Sequence, residues 1–294
     1  MKKSKRIFAG ILSAVLLLSS QGMAFAAENV EVSVNGKEKE VIETVSDVKQ
    51  AEYELIIEND TVIGYEGTPE NVVIPDGVIH IANRAFQDCE SLKSIKLPSN
   101  LRSIGEYAFY TCKNLTDIQI PSSVLSIGEY AFMSCGSLKG INIPSGVTNI
   151  GKYTFMYCKS LTSIEIPTSV VSIYEHAFAN CESLTSVKLS SGLKEIDGYA
   201  FYDCKKMTDI QIPSSVEIIG AYAFSGCESF TSIKLPASIK QMGDSVFNGC
   251  SNLTNIEIPS SVTCINGGMF SATPWFENKM RENKFVIIND VLIY

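Results

Sequence analysis

The side chains that could do chemistry are few, and their spacing is unusual. His80 and His176 are the two histidines of 294 residues, which leaves little for imidazole catalysis or a His-based zinc site. Glu175 adjoins His176, but no serine is placed to complete a triad. Ser191-Gly-Leu-Lys194 matches S-x-x-K, yet it sits inside a repeated turn, so the match is fortuitous. No G-x-S-x-G, H-E-x-x-H, C-x-x-C or P-loop occurs anywhere in the chain. The reading is therefore not an enzyme, and no cofactor is expected.

The nine cysteines carry more information. Eight of them, from Cys89 to Cys250, recur every 23 residues. Exported proteins usually pair their thiols, but stacked equivalents lie ~4.8 Å apart with parallel side chains. A disulfide needs Cβ atoms ~3.8 Å apart and converging, and a single file of thiols cannot surround a metal tetrahedrally. The ladder is expected to be buried free thiols, small apolar fillers of a core. Thr273, close in size, fills the ninth position. Cys264 lies off the ladder and is the one candidate reactive thiol.

What positions these residues is the repeat itself. Phenylalanine holds nine positions from Phe86 to Phe270 at the same interval of 23, and proline recurs in step from Pro75 to Pro259, with Ser190 in one place. A fixed period of this length, sustained for nine units, is the mark of a solenoid. Within one unit, Leu115-x-x-Ile118-x-Ile120 alternates as a short strand and Pro121 ends it. Val124 and Ile127 suggest a second strand on the opposite wall. Ile127, Ala131, Phe132 and Cys135 fall on one side of a helical turn. Each coil thus offers one inward row that no unit could bury alone, and stacking makes it a continuous core. The fold class expected is a repeat solenoid of about nine coils, with short parallel β-strands and a helical turn in each.

Two outer surfaces differ. The strand face carries small or mixed-charge columns, such as Ser94, Asp117, Ser163 and Lys96, Gln119, Glu165, with no aromatic. It reads as a solvated face. On the turn, the residue before Ala is Tyr107, Tyr130, Tyr153, His176, Tyr199 and Tyr222, and three residues later stand Tyr110, Met133, Met156, Ala179, Tyr202 and Ser225. Arg84 and Ser245 occupy that column in the end units although the core row persists there, so the strip is not obligatory for closing a coil. Stacked rings would steady neighbouring coils, and an exposed aromatic strip also suits an interaction site. Tyr107, Tyr110, Tyr130, Met133, Tyr153, Met156, Tyr199, Tyr202 and Tyr222 are the candidate ligand-binding residues.

Charge and the ends set the remaining expectations. A formal charge of −8 argues against nucleic acid as a partner. Lys2, Lys3, Lys5 and Arg6, then the apolar run Ile7 to Leu18 and Ala24-Phe25-Ala26, read as a signal peptide over residues 1–26. Its removal would take the charge to −12, with no membrane span left in the chain. Residues 27–52 form an acidic, weakly ordered arm. Tyr53 to Tyr65, around Glu58-Asn59-Asp60, signal a hairpin cap over 53–73, and the solenoid is expected over 74–280. Residues 281–294 read as a closing hairpin about Asn289-Asp290.

The consensus L-x-x-I-x-I-P-x-x-V-x-x-I-G-x-x-A-F-x-x-C resembles the BspA-like, or Treponema-type, leucine-rich repeat. Tyr174 and Asp197, which replace the Gly after Ile, and Ser190 depart from it. The resemblance implies a secreted or surface-exposed bacterial protein that binds macromolecules of a host or neighbouring cell. Protein partners are favoured. Glycans stacking on the tyrosine strip are one alternative, and a passive, self-packing envelope component is another.

Overall fold

The computed structural model describes residues 53–262, 265, 267–282, 287–289 and 291–292. The expected signal peptide (1–26), the expected arm (27–52) and Cys264 lie outside the described residues. The chain winds as a β-solenoid of about nine turns, whose coils of 23 residues typically contribute two short strands. One wall holds Ser94–Lys96 and its equivalents, the other Ser103–Ile104 and its equivalents. Pairings between the 23-residue coils are parallel and step by one repeat, as Ser163↔Ser186 on the first wall and Ser172↔Glu195 on the second. The period therefore sets the register, and the inward face of each strand meets its own equivalent.

Between the walls runs the segment expected as a helical turn. It is a chain of tight turns rather than an α-helix, for a reason visible in its hydrogen bonds. The amides of Ala131, Met133 and Cys135 donate three residues back, to Gly128, Tyr130 and Phe132. Those of Tyr130, Phe132 and Ser134 donate to Lys152, Thr154 and Met156 of the next coil. Alternate amides thus serve the coil and the stack. Reversing between the two directions requires left-handed backbone twice per coil, at Tyr130 (φ 59°) and Ser134 (φ 63°), for example. That conformation costs ~1–2 kcal/mol at a non-glycine residue, offset here by the inter-coil bonds.

The inward row packs as the repeat requires. Each ladder phenylalanine from Phe86 to Phe270 is fully buried, and successive rings stack with centroids 5.2–6.1 Å apart. All eight ladder cysteines are free and buried. Their thiols have a second use besides volume: Cys135 Sγ donates to the Phe109 carbonyl of the preceding coil at 3.1 Å, and the bond repeats from Cys112 to Cys250.

Both ends of the core are closed by aromatic side chains. Strands β1 (Tyr53–Glu58) and β2 (Thr61–Gly67) form an antiparallel hairpin. β2 pairs in parallel with His80–Ile81, which extends the second wall by one hairpin. Tyr65 stacks on Phe86 at 5.6 Å and so begins the phenylalanine column. At the other end Trp275 meets Phe270 edge-on at 5.0 Å. It sits on α1 (Pro274–Glu282), a helix inside the span expected to be solenoid. Thr273 caps that helix by accepting from the Phe276 amide at 3.2 Å, with Pro274 in the first helical position. Ile287–Ile288 and Val291–Leu292 then pair antiparallel.

Candidate functional site

The column before Ala is a continuous stack of rings. Tyr107, Tyr130, Tyr153, His176, Tyr199 and Tyr222 follow one another at centroid distances of 4.5–4.8 Å, with planes within 12° of parallel. All six are half-buried. The left-handed backbone at each of them (φ 56–59°) aims the rings along one line, and the inter-coil bonds fix their separation.

The second row meets the first by that turn geometry rather than by helical neighbourhood. Tyr110 lies edge-on to Tyr107 and Tyr202 is tilted against Tyr199, each pair at 5.7 Å. Met133 and Met156 are half-buried between them, whereas Ala179 and Ser225 are buried. Tyr157, outside the candidate set, is 36% exposed beside this row. Its place in the column of Thr111 and Ser134 gives no periodic signal, so the repeat pattern does not reveal it.

Burial raises the phenols of Tyr130 and Tyr153 above their ordinary range, and the Asp203 carboxylate does the same for Tyr202. These three phenols are therefore neutral at physiological pH. His176 is pushed down by burial, against the pull of Glu175. Its Nδ1 is buried without a hydrogen-bond partner, and the Glu175 carboxylate stands 3.8 Å away. Its ring is a member of the stack, between Tyr153 and Tyr199.

Within the stack each ring between the two terminal tyrosines, Tyr107 and Tyr222, spends both faces on its neighbours. What such a stack turns away from its own axis is ring edge. Arg84, first in the column, places its guanidinium 5.3 Å from the Tyr107 centroid and covers the stack's N-terminal face.

The strand face is less uniform than its composition suggests. A groove of about 700 Å³ runs over the first coils, with Val73, Leu97, Pro98 and Pro121 among its lining residues. Val73 is 55% exposed in a column otherwise held by Lys, Gln, Asn and Glu, which is the sequence signal for it. Farther along, Lys188–Glu165 and Lys234–Glu257 pair across coils on the same face.

Other singled-out residues have internal duties. The Thr116, Thr162, Thr185 and Thr254 hydroxyls donate to carbonyls one coil back. The side-chain amides of Asn114 and Asn252 are bound to Glu90 and Glu228 carbonyls. Burial pushes the Cys158 and Cys250 thiols up to about 12, so these are inert. Among the described residues, no group of three His, Cys, Asp or Glu side chains could hold a metal ion, and no helix is long and apolar enough to cross a membrane.

Comparison with known proteins agrees with this architecture. The family described as BspA type Leucine rich repeat region, in six copies, matches residues 65–184 and 171–290. A leucine-rich repeat protein from Eubacterium ventriosum is 30% identical, with 60% of this chain and 48% of that one covered and a TM-score of 0.55. The T. pallidum leucine-rich repeat protein is 33% identical over 60% of this chain and 86% of its own, again with a TM-score of 0.55. The chain thus spans about half the length of the first and most of the second. No curated protein sequence matches it.

Proposed function

The chain belongs to the BspA-type leucine-rich repeat family, and on that premise we propose that it is a secreted or surface-held recognition module whose ligands are proteins of a host or neighbouring cell. The tyrosine strip is the contact surface. The observation that carries this reading is the mismatch between stack and core. The Phe–Cys core runs through every coil from Cys89 to Cys250, while the stacked rings span only the six coils from Tyr107 to Tyr222. A feature needed for closing coils would follow the core to its ends.

The composition of the surface favours a protein ligand over a glycan. Tyr and Met are common in the hot spots and adaptable patches of protein interfaces. Sugars bind aromatic residues by lying on a ring face, and here the faces within the stack are turned on one another. The acidic net charge of −8 speaks against nucleic acid. Binding of the purified chain to arrayed matrix and cell-surface proteins, beside arrayed glycans, tests the reading. Capture by proteins that free glycans do not compete is expected. Capture by glycans alone would replace it with the carbohydrate reading.

A further inference from the structure

The aromatic stack has two ends, and they are not alike. At the N-terminal end the face of Tyr107 is covered by the Arg84 guanidinium, 5.3 Å from the ring centroid. Arg84 occupies the same column as the rings, with the same left-handed backbone (φ 63°). The column therefore opens with a cation laid on a ring face. At the C-terminal end Tyr222 stacks on Tyr199 at 4.8 Å, and the next member of the column is Ser245. Ser245 keeps the left-handed geometry (φ 55°), so its side chain sets out along the line of the rings and stops one atom beyond Cβ.

The position after that is Gly268, and the flanking second-row positions are Ser225 and Asn248. No ring or guanidinium among the described residues lies on the outer face of Tyr222. The stack thus ends at a step where a ring-thick layer is missing. Asp244, the residue before Ser245, is exposed, and its carbonyl accepts from the Tyr222 amide at 2.8 Å. Its carboxylate stands in the column of Glu129 and Glu175, which border the rings of Tyr130 and Tyr153.

We propose that the outer face of Tyr222, with Ser245 as floor and Asp244 as rim, is a subsite for an arginine side chain of a protein partner, which lies on the ring as Arg84 lies on Tyr107. Charge complementarity selects the occupant. A ring face attracts a cation through its quadrupole, guanidinium most readily because it is planar and weakly hydrated, and the adjoining carboxylate favours the same sign. The inference extends the tyrosine-strip reading to one residue type of the ligand, and its test needs no knowledge of that ligand.

The test is titration of the full chain, carrying ¹³C-labelled tyrosine, with N-acetyl-arginine amide and with its neutral citrulline analogue. Saturable movement of the Tyr222 ring signals is expected, with arginine binding about two- to fivefold tighter than citrulline. Ser245→Tyr lays a ring on the open face, as six other coils place one at this backbone geometry, and should abolish the response at Tyr222 while the fold is retained. Asp244→Asn should weaken it, and Arg84→Ala should create a second responsive ring at Tyr107. Equal response to citrulline, no response at Tyr222, an undiminished response in Ser245→Tyr, or a silent Tyr107 in Arg84→Ala would each overturn the proposal. A Tyr222 response that survives when the macromolecular ligand is lost separates this subsite from the wider strip.

Discussion

The side-chain amide of Asn142 pairs with both backbone groups of Ile120: Oδ1 accepts from its N–H at 2.9 Å and Nδ2 donates to its carbonyl at 2.7 Å. In regular coils the equivalent amide is met by backbone, as Ile74 by the Lys96 carbonyl and Ile166 by the Lys188 carbonyl. At Gly140–Asn142 the strand is absent apart from a single bridge, Ile118↔Ile141, and one side chain takes the missing strand's place. Asn142→Ala should cost about 1–3 kcal/mol, the penalty of leaving two part-buried polar groups unmet. Asn142→Asp, which keeps the acceptor and loses the donor, should fall between. Denaturant midpoints at constant slope measure both.

His176 interrupts a tyrosine stack and leaves Nδ1 unsatisfied. His176→Tyr should keep the stack and stabilise the protein by about 1–2 kcal/mol, through the removed orphan group. It should also remove a pH dependence. The folded state lowers this imidazole's pKa, so the unfolded chain binds the proton more readily. Stability is full above the ordinary histidine value and declines as pH falls through it. Thermal midpoints between pH 7.5 and 5 should drop more in the parent than in the variant.

The thiol ladder predicts the opposite slope at alkaline pH. Cys158 and Cys250 are pushed up to about 12 by burial, and Cys135, Cys181, Cys204 and Cys227 also lie well above the ordinary value. The folded state therefore favours the neutral thiol. Its contribution is complete below the unfolded value and is lost as pH rises from there towards the folded one. The loss is about 1.4 kcal/mol per pH unit for each thiol. Cys158→Ala should reduce the slope of stability against pH between 9 and 10.5 by that amount, although it lowers stability at neutral pH. Native thiols at the eight ladder positions should resist a thiol reagent until the chain is denatured.

Two glycines separate close packing from sequence habit. A Cβ at Gly128 would lie 2.4 Å from the Glu106 amide nitrogen of the preceding coil, whereas at Gly136 nothing stands within 4 Å. Gly128→Ala should force adjacent coils apart and lower stability by about 3 kcal/mol or more, as backbone clashes in packed sites do. Gly136→Ala should be neutral or stabilise by about 0.4–1 kcal/mol. Comparing the two melting curves checks the coil spacing directly.

Much of the solenoid was legible because its core is periodic in the sequence. Phe86 to Phe270 and Cys89 to Cys250 mark the inward row, and Ile118 and Ile127 mark the two walls. The turn was misread as helical because apolar spacing reports which side faces inward, not where amides are spent. Tyr130 donates to Lys152, 22 residues onward, and no local pattern carries that bond. The first hairpin could be read from Tyr53 to Tyr65 around Glu58-Asn59-Asp60, but not the stacking of Tyr65 on Phe86, because Tyr65 joins the phenylalanine column out of period. α1 carried its own signals in Thr273-Pro274, Glu277 and Lys279, but the repeat outweighed them. In the strip, the column of rings could be read directly. The orientation that turns ring faces on one another, and so ends the stack on the face of Tyr222, depends on left-handed backbone that tyrosine rarely adopts.

The claim that the strip is the recognition surface is tested most directly by Tyr130→Ser, Tyr153→Ser and Tyr199→Ser combined in one chain. Binding to the captured protein ligand is measured beside the parent, with circular dichroism and a melting curve to establish that the variant is folded. Loss of three rings should cost several stacking contacts of about 0.5–1.5 kcal/mol each, which the continuous Phe–Cys core can absorb. The account predicts a folded variant whose affinity falls at least about tenfold, the equivalent of one hot-spot residue. A folded variant that binds as tightly as the parent would contradict it and move the search to the groove beside Val73.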